Sequence, residues 1–252
     1  MRAADLIAAL GLPADTTIGK RVPKSELVEH GRFTAADKRQ INAGVEELRW
    51  EASLKPNTVG IAAYRDDQHE YLEIPVLAAV LREGARSPRL SVLLHRAVPY
   101  PVVLIAEQGE AVTLSLAGKR RSLNETDAFV VEGEPTEVIL NGGFGPDLLR
   151  PFLDAIALSR QPRYTLRELY LGWIETVEAL HAARITGTFS LAATQEQAAV
   201  RRSALSDCAR LETELARLRA QAGKEKQMQR QIDLNNKIGR LKAEYAAARD
   251  HL

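Results

Sequence analysis

Pro101-Val102-Val103-Leu104-Ile105-Ala106-Glu107-Gln108-Gly109-Glu110-Ala111-Val112-Thr113-Leu114-Ser115-Leu116 is the stretch on which the fold turns. Residues 101–106 are the most hydrophobic strand candidate in the chain. Gln108-Gly109 supplies a turn, and Val112–Leu116 then alternates apolar and polar residues as a half-buried strand does. On its N-terminal side, Val59–Tyr64 is a short apolar run closed by Asp66-Asp67. Tyr71–Val76 is a second run, which Pro75 makes an edge strand or ends. Ser91–Ala97 suits a short helix. On the C-terminal side, Phe129–Val131 and Thr136–Leu140 are expected to pair around Gly133. Such short connections join antiparallel neighbours, so the sheet is expected to be largely antiparallel.

Helical patterns flank this region. Asp5, Leu6, Ile7 and Leu10 form one short helix that stops at Gly11-Leu12-Pro13. Thr34 is a good N-cap with Asp37 in the capping-box position. Ile41, Val45, Leu48 and Ala52 follow at spacings of four, three and four, one face of a helix ended by Pro56. Residues 1–57 therefore read as an N-terminal helical segment. Beyond the break at Asn141–Pro146, Asp147 and Thr165 can cap two further helices. Leu169, Trp173, Ile174, Val177 and Leu180 line the inner face of the second. The α+β core is expected to span 58–190.

Residues 191–252 lack proline and strand signals. Ala204, Cys208, Leu211, Leu215, Leu218 and Ala222 are spaced four, three, four, three, four; Gln231, Leu234, Ile238, Leu241, Tyr245, Ala248 and Leu252 are spaced three, four, three, four, three, four. These are coiled-coil heptads. The two stripes are one residue out of phase, with Gly223 between them. Two geometries fit: one helix of about fifty residues reaching about 80 Å, or an antiparallel hairpin turning near Gly223. The continuous helix needs another chain to cover its full length, so a homodimer through the arm is one expectation. The fold class is thus α+β, a mostly antiparallel sheet with covering helices followed by a C-terminal coiled-coil arm.

Composition narrows function. The chain has 252 residues, 34 Lys+Arg and 33 Asp+Glu, and a formal net charge of +1, which excludes a histone-like basic binder but not a local basic patch. Aromatic residues are only 5%, against a stacking platform for single strands. A single cysteine, Cys208, excludes an intrachain disulfide framework and a cysteine-clustered zinc site. No run of about 18 apolar residues is present, so no membrane partner is expected. Met1-Arg2-Ala3-Ala4-Asp5 puts an acid before a short apolar run, and a cytoplasmic location is the expectation.

Few residues suggest catalysis. Gly142-Gly143-Phe144-Gly145 precedes a helix but lacks the Walker and dinucleotide spacings. Asp66, Asp67, His69, Glu70 and Glu73 form an acidic group. Two carboxylates on neighbouring strands suit a Mg²⁺-dependent nuclease, with Lys119 or Arg121 on the phosphate, but no Glu-x-Lys follows, and Asp66-Asp67 reads equally as a hairpin turn. His95 and His181 are scattered histidines of surface or core type, and no metal or cofactor is implied. The basic features are more informative. Lys20, Arg21 and Lys24 cluster near the start, and Lys119-Arg120-Arg121 tips a turn. From Glu196 to Leu252 there are 12 Lys+Arg against 8 Asp+Glu, which leaves about −3 for the rest. Lys224, Lys226, Gln227, Arg230 and Asn235 join these as candidate contacts to nucleic acid or a partner. Leu211, Leu215, Leu218, Leu234, Ile238, Leu241 and Tyr245 are the candidate seam; the polar Gln231 on it, with Asn235 and Asn236 beside it, reads either as a register-fixing device or as a docking surface.

Four segments together carry a resemblance: Lys20-Arg21-Val22-Pro23-Lys24, Leu54-Lys55-Pro56-Asn57-Thr58, Ala97-Val98-Pro99-Tyr100-Pro101, and Lys224-Glu225-Lys226-Gln227 with Arg230 and Leu234-Asn235. In order and spacing they resemble a bacterial and archaeal family known as a domain of unknown function. Its members tend to be encoded beside a restriction-type helicase and a DNA methyltransferase. Met228 and Gln229 stand where that family usually has Phe and Asn, and Val98 stands for Ile. The resemblance implies a non-enzymatic accessory or adaptor of a restriction-modification or phage-defence system. Its implied partners are a helicase or methyltransferase, and the basic face of the arm makes DNA a candidate contact. The alternative from the residues is the divalent-metal nuclease. No catalytic residue is implied by the resemblance.

Overall fold

The computed structural model describes residues 1–30, 33–122 and 128–252, divided into two compact units, Met1–Val177 and Glu178–Leu252. Through the first unit run α1 (Ala3–Ala9), β1 (Thr17–Arg21), α2 (Lys24–His30), α3 (Ala35–Gly44), β2 (Val45–Leu54), α4 (Pro56–Val59), β3 (Tyr64–Arg65), β4 (Glu70–Tyr71) and β5 (Ile74–Leu81). These are followed by α5 (Ser87–Ala97), β6 (Val103–Gln108), β7 (Ala111–Leu116), β8 (Lys119–Arg121), β9 (Phe129–Val131), β10 (Thr136–Ile139), α6 (Pro146–Ala155) and α7 (Leu166–Thr186). From Glu178 onward α7 belongs to the second unit, which continues with α8 (Gln195–Lys224) and α9 (Met228–Arg249).

The main sheet has six strands in the order β1-β2-β5-β6-β7-β10. All its ladders are antiparallel except β5–β6. That parallel pair needs a crossover, and α5 provides it. The 101–116 stretch folds as its pattern requires. Val103 lies opposite Leu116 and Gln108 opposite Ala111, and Gly109 takes φ +58° in the turn, where a Cβ would be strained.

α2, α3 and α5 pack on one face of the sheet, and α1 lies on the other. Leu48, Leu77 and Leu104 of the sheet meet Leu27, Ile41, Leu90, Leu93 and Leu94 in one buried cluster. Each such side chain contributes about 1.5–3 kcal/mol when fully buried. Thr34 caps α3 as its sequence demands: its hydroxyl accepts the Asp37 N–H at 3.2 Å while the Asp37 carboxylate accepts the Thr34 N–H at 3.2 Å. Tyr170 is fully buried; its hydroxyl donates to Val102 O at 2.7 Å and accepts the Ala117 N–H at 2.8 Å. Trp173 donates Nε1–H to Ile156 O at 2.8 Å.

Several expectations are corrected. The helix predicted through Ala52 stops at Gly44, and Val45–Leu54 is a strand. β2 pairs with β1 on one side and with β5 on the other, so residues 1–57 are not solely helical. Two irregularities in β2, between Val45 and Glu47 and between Trp50 and Ala52, explain the misleading pattern. The first keeps Val45 and Leu48 on one face at a spacing of three. The second moves Ala52 to the opposite face, where it is also buried. A strand with bulges thus imitates helical periodicity. Val59 ends a helical turn closed by Gly60 at φ +66°, instead of opening a strand. Pro75 is the second residue of an interior strand, opposite Ser53, a position near the strand's start where its missing N–H is tolerated. Phe129–Val131 pairs with Lys119–Arg121, while Thr136–Ile139 pairs with β7, so the hairpin expected around Gly133 does not form.

In the second unit the arm is a hairpin. Thr194 caps α8 by accepting the Gln197 N–H at 3.2 Å. The chain reverses at Glu225–Gln227, two residues beyond Gly223, where the Glu225 carboxylate accepts the Lys226 and Gln227 N–H groups at 3.0 and 2.9 Å. Leu215, Leu218 and Ala222 of α8 pack with Ile238, Leu234, Leu241 and Tyr245 of α9. Tyr245 donates to Glu212 Oε1 at 2.7 Å, which fixes the antiparallel register. Leu211 and Cys208 are buried as well. The seam is closed within one chain, so self-association does not follow from it. At its base, Arg202 grips the Glu178 carboxylate with two bonds of 2.7 and 3.2 Å. Among the described residues no helix is long and apolar enough to cross a membrane.

Candidate functional site

The reversal of the arm gathers its positive charge at one end. Between Arg219 and Lys237 lie five Lys or Arg and two acids, Glu225 and Asp233. Outside that segment the arm's charges nearly balance, and several pair along the helix: Arg210 with Asp207 and Arg217 with Glu214, each at 3.2 Å. Lys224, Lys226, Arg230, Lys237, Arg240 and Lys242 have no carboxylate partner among the described residues. Gln221, Lys224, Arg230, Asp233 and Lys237 surround a shallow depression of about 500 Å³. Gln227 and Asn235 are exposed on the same tip, as is Met228 at 76%. Unpaired exposed cations keep their field, and a patch of them attracts phosphate. The sequence pointed to Lys224, Lys226, Gln227, Arg230 and Asn235. It missed Lys237, because only the position of the turn brings it beside the end of α8.

The basic residues of the first unit serve other ends. Lys119 is fully buried, and its Nζ donates to His95 O and to Val98 O, the latter at 2.6 Å. It satisfies carbonyls at the C-terminal end of α5, and burial, aided by the Arg96 charge, pushes its pKa down to about 8. It is not a surface contact. Arg121 pairs with Glu70 at 3.0 Å and lies over the Phe129 ring at 5.4 Å. Arg120, beside it, is half-buried and donates to Arg121 O at 3.2 Å. Lys24 donates to Val45 O at 3.0 Å and Asn42 O at 3.4 Å, closing the end of α3. Lys20 and Arg21 remain exposed on β1.

The acidic group does not assemble a metal centre. Asp66 accepts the Tyr64 hydroxyl at 2.7 Å and the Gln68 and His69 N–H groups at 2.8 and 2.5 Å, which hold its carboxyl well below the usual carboxylate range. Glu70 binds Arg65 and Arg121, each at 3.0 Å. Glu73 accepts the Ser53 hydroxyl and lies 3.5 Å from Lys55. Among the described residues no group of three or more His, Cys, Asp or Glu is placed to hold a metal ion. These carboxylates fasten turns and strand ends.

A buried polar chain runs through the core. His95 Nε2 lies 2.8 Å from Ser115 Oγ, which donates to Glu137 Oε1 at 2.9 Å. Because the serine proton is directed to Glu137, His95 donates from Nε2 in its neutral form. Its Nδ1 has no hydrogen-bond partner. Burial, with Lys119 nearby, pushes His95 down to about 3. Both His95 and Ser115 are 0% exposed, so the chain is structural and out of reach of a substrate.

A second concave feature lies on the face of the sheet that α2, α3 and α5 cover. Leu48 and Trp50 of β2 and Pro75 and Leu77 of β5 floor a mostly apolar cleft of about 240 Å³. Val22 and Leu27 form one wall and Ala97–Tyr100 the other. The sequence singled out residues 20–24 and 97–101 separately; the fold brings Val22 of the first and Ala97–Tyr100 of the second to this one cleft. Its floor was illegible because β2 read as a helix.

These features describe an α+β protein bearing a basic helical hairpin. The chain belongs to the family described as a domain of unknown function (DUF4391), whose profile matches residues 10–244. No curated protein and no solved structure matches it.

Proposed function

We propose that this protein is a non-enzymatic accessory of a DNA-processing assembly, whose hairpin arm contacts the phosphate backbone through its tip. The observation that supports this is the tip's charge: five cations against two acids on one end of a hairpin whose apolar seam is already covered. A surface of that kind is free to serve a ligand. The resemblance to proteins encoded beside restriction-type helicases and DNA methyltransferases favours one of these as the partner of the same assembly, in phage defence. Phosphate contacts of this type position a protein on DNA without reading sequence.

The test is a gel shift with a fluorescent 30-base-pair duplex and the full chain. Wild type retards the duplex in low salt. The triple variant Lys224→Glu, Arg230→Glu, Lys237→Glu, with unchanged helical circular dichroism, does not. A triple variant that still shifts the duplex as wild type does would refute the assignment of the tip.

A further inference from the structure

We propose that the cleft between β1 and the end of α5 receives an extended segment of a partner protein, which adds to the sheet along β1 and seats one large apolar side chain beside an acidic residue. Three observations carry this, and none involves the arm. First, β1 is an edge strand. It pairs only with β2 among the described residues, and all five of its residues are exposed. The strand is irregular at Gly19, whose carbonyl accepts an Arg49 N–H at 3.0 Å; beyond it, around Arg21, the edge leaves backbone groups on its outer side that another strand can satisfy. The other edge strand, β10, has no cleft described beside it.

Second, the cleft begins where β1 ends. Val22, the residue after β1, lines it, and the Val22 N–H is bonded to Leu48 O at 2.8 Å, which continues the ladder over the cleft floor. At about 240 Å³ it is smaller than a drug-sized ligand site, and it suits a single aromatic or aliphatic anchor. Third, Lys20 stands opposite Trp50 in the antiparallel register, so the two side chains project from the same face. Trp50 floors the cleft, and Lys20 therefore flanks it. Lys20 and Arg21 have no ion-pair partner among the described residues, in contrast to Lys24, which is engaged with α3. Glu26, on α2, is the one acid at the rim. The occupant that satisfies edge, cavity and charge is an extended chain with a large apolar residue and an Asp or Glu next to it. Main-chain pairing gives affinity, and the cavity gives specificity.

The experiment selects phage-displayed random dodecapeptides on the full-length protein and measures the synthetic winners by fluorescence anisotropy. The selected peptides are expected to share a large apolar residue with an acid within two positions. Lys20→Glu, at an exposed site, is expected to weaken them about fivefold. Val22→Trp, which fills the cleft, is expected to weaken them about tenfold or more, the size of one lost anchor. Methylating alternate amides of a winning peptide removes the strand-pairing donors and should abolish binding even if Val22→Trp fails to fold. Failure to select any such motif, or winners that bind wild type and Lys20→Glu equally, overturns the proposal. So does a wild-type dimer in light scattering that Val22→Trp dissociates, because the occupant is then a second copy of this chain.

Discussion

His95 makes the stability of the first unit sensitive to acid in a window set by its own burial. In the folded chain its pKa lies at about 3, against 6.5 for an unperturbed imidazole. Between these values the unfolded chain takes up a proton that the folded one refuses. The contribution of His95 is therefore fully present above pH 6.5 and is lost progressively as pH falls toward 3. One proton taken up on unfolding corresponds to about 1.4 kcal/mol per pH unit. Over 3.5 units the loss reaches about 5 kcal/mol, comparable to the whole stability of a marginal domain. Asp37, whose pKa is lowered chiefly by its hydrogen bond to Thr34, adds to the same trend only at the acid end. The comparison that isolates the imidazole is urea unfolding of wild type and His95→Gln at half-unit steps from pH 7 to 4.5. The Gln side chain still donates to Ser115 Oγ but does not titrate. The slopes should differ by about 1.4 kcal/mol per pH unit below about pH 5.5, by half that at pH 6.5, and converge toward pH 7. Equal slopes would mean that His95 is not a neutral buried group, and the Nε2–H assignment would fall with it.

Further substitutions probe the packing. Tyr170→Phe strands the Ala117 N–H inside the core and should lower stability by about 2 kcal/mol in a denaturant titration. Gly172→Ala drives a Cβ to 2.5 Å from Gln161 Oε1 and 2.7 Å from Pro162 Cδ, so thermal unfolding should show a loss of about 1–3 kcal/mol. Leu218→Ala opens the hairpin seam; hydrogen exchange should quicken across α8 and α9, with a local loss of about 2 kcal/mol or more, and no such change in β6 or β7.

How far the sequence discloses this protein depends on whether local chemistry or tertiary context decides a segment. Residues 101–116 were legible because the apolar run, the Gly109 turn and the alternating strand agree with one another. Thr34 with Asp37 was legible because a capping box is a local device. The arm's seam was legible as heptads, yet its path was not: the out-of-phase stripes fit either a stutter or a turn, and the reversal occurs at Glu225–Gln227, which carries no glycine. Residues 45–52 misled because two bulges turned a two-residue repeat into spacings of three and four. For the site, Lys224 and Arg230 could be singled out by composition alone. Lys119 could not be separated from them, because a lysine that caps α5 inside the core looks in sequence like any lysine in a basic turn. Trp50, Leu77 and Tyr100 were invisible as a group, since only the sheet register brings β2 and β5 beneath the end of α5.

The most direct measurement of the arm's role is the salt dependence of duplex binding. If each of the tip's five cations neutralises a phosphate, log K falls with log salt at a slope of about −4.5, and affinity drops about 500-fold between 50 and 200 mM salt. Neutralising three of them, as Lys224→Gln, Arg230→Gln and Lys237→Gln together, should flatten the slope to about −1.8 and the drop to about twelvefold. Binding whose slope is the same in wild type and in this variant would contradict the account, because the phosphates would then be held by some other surface.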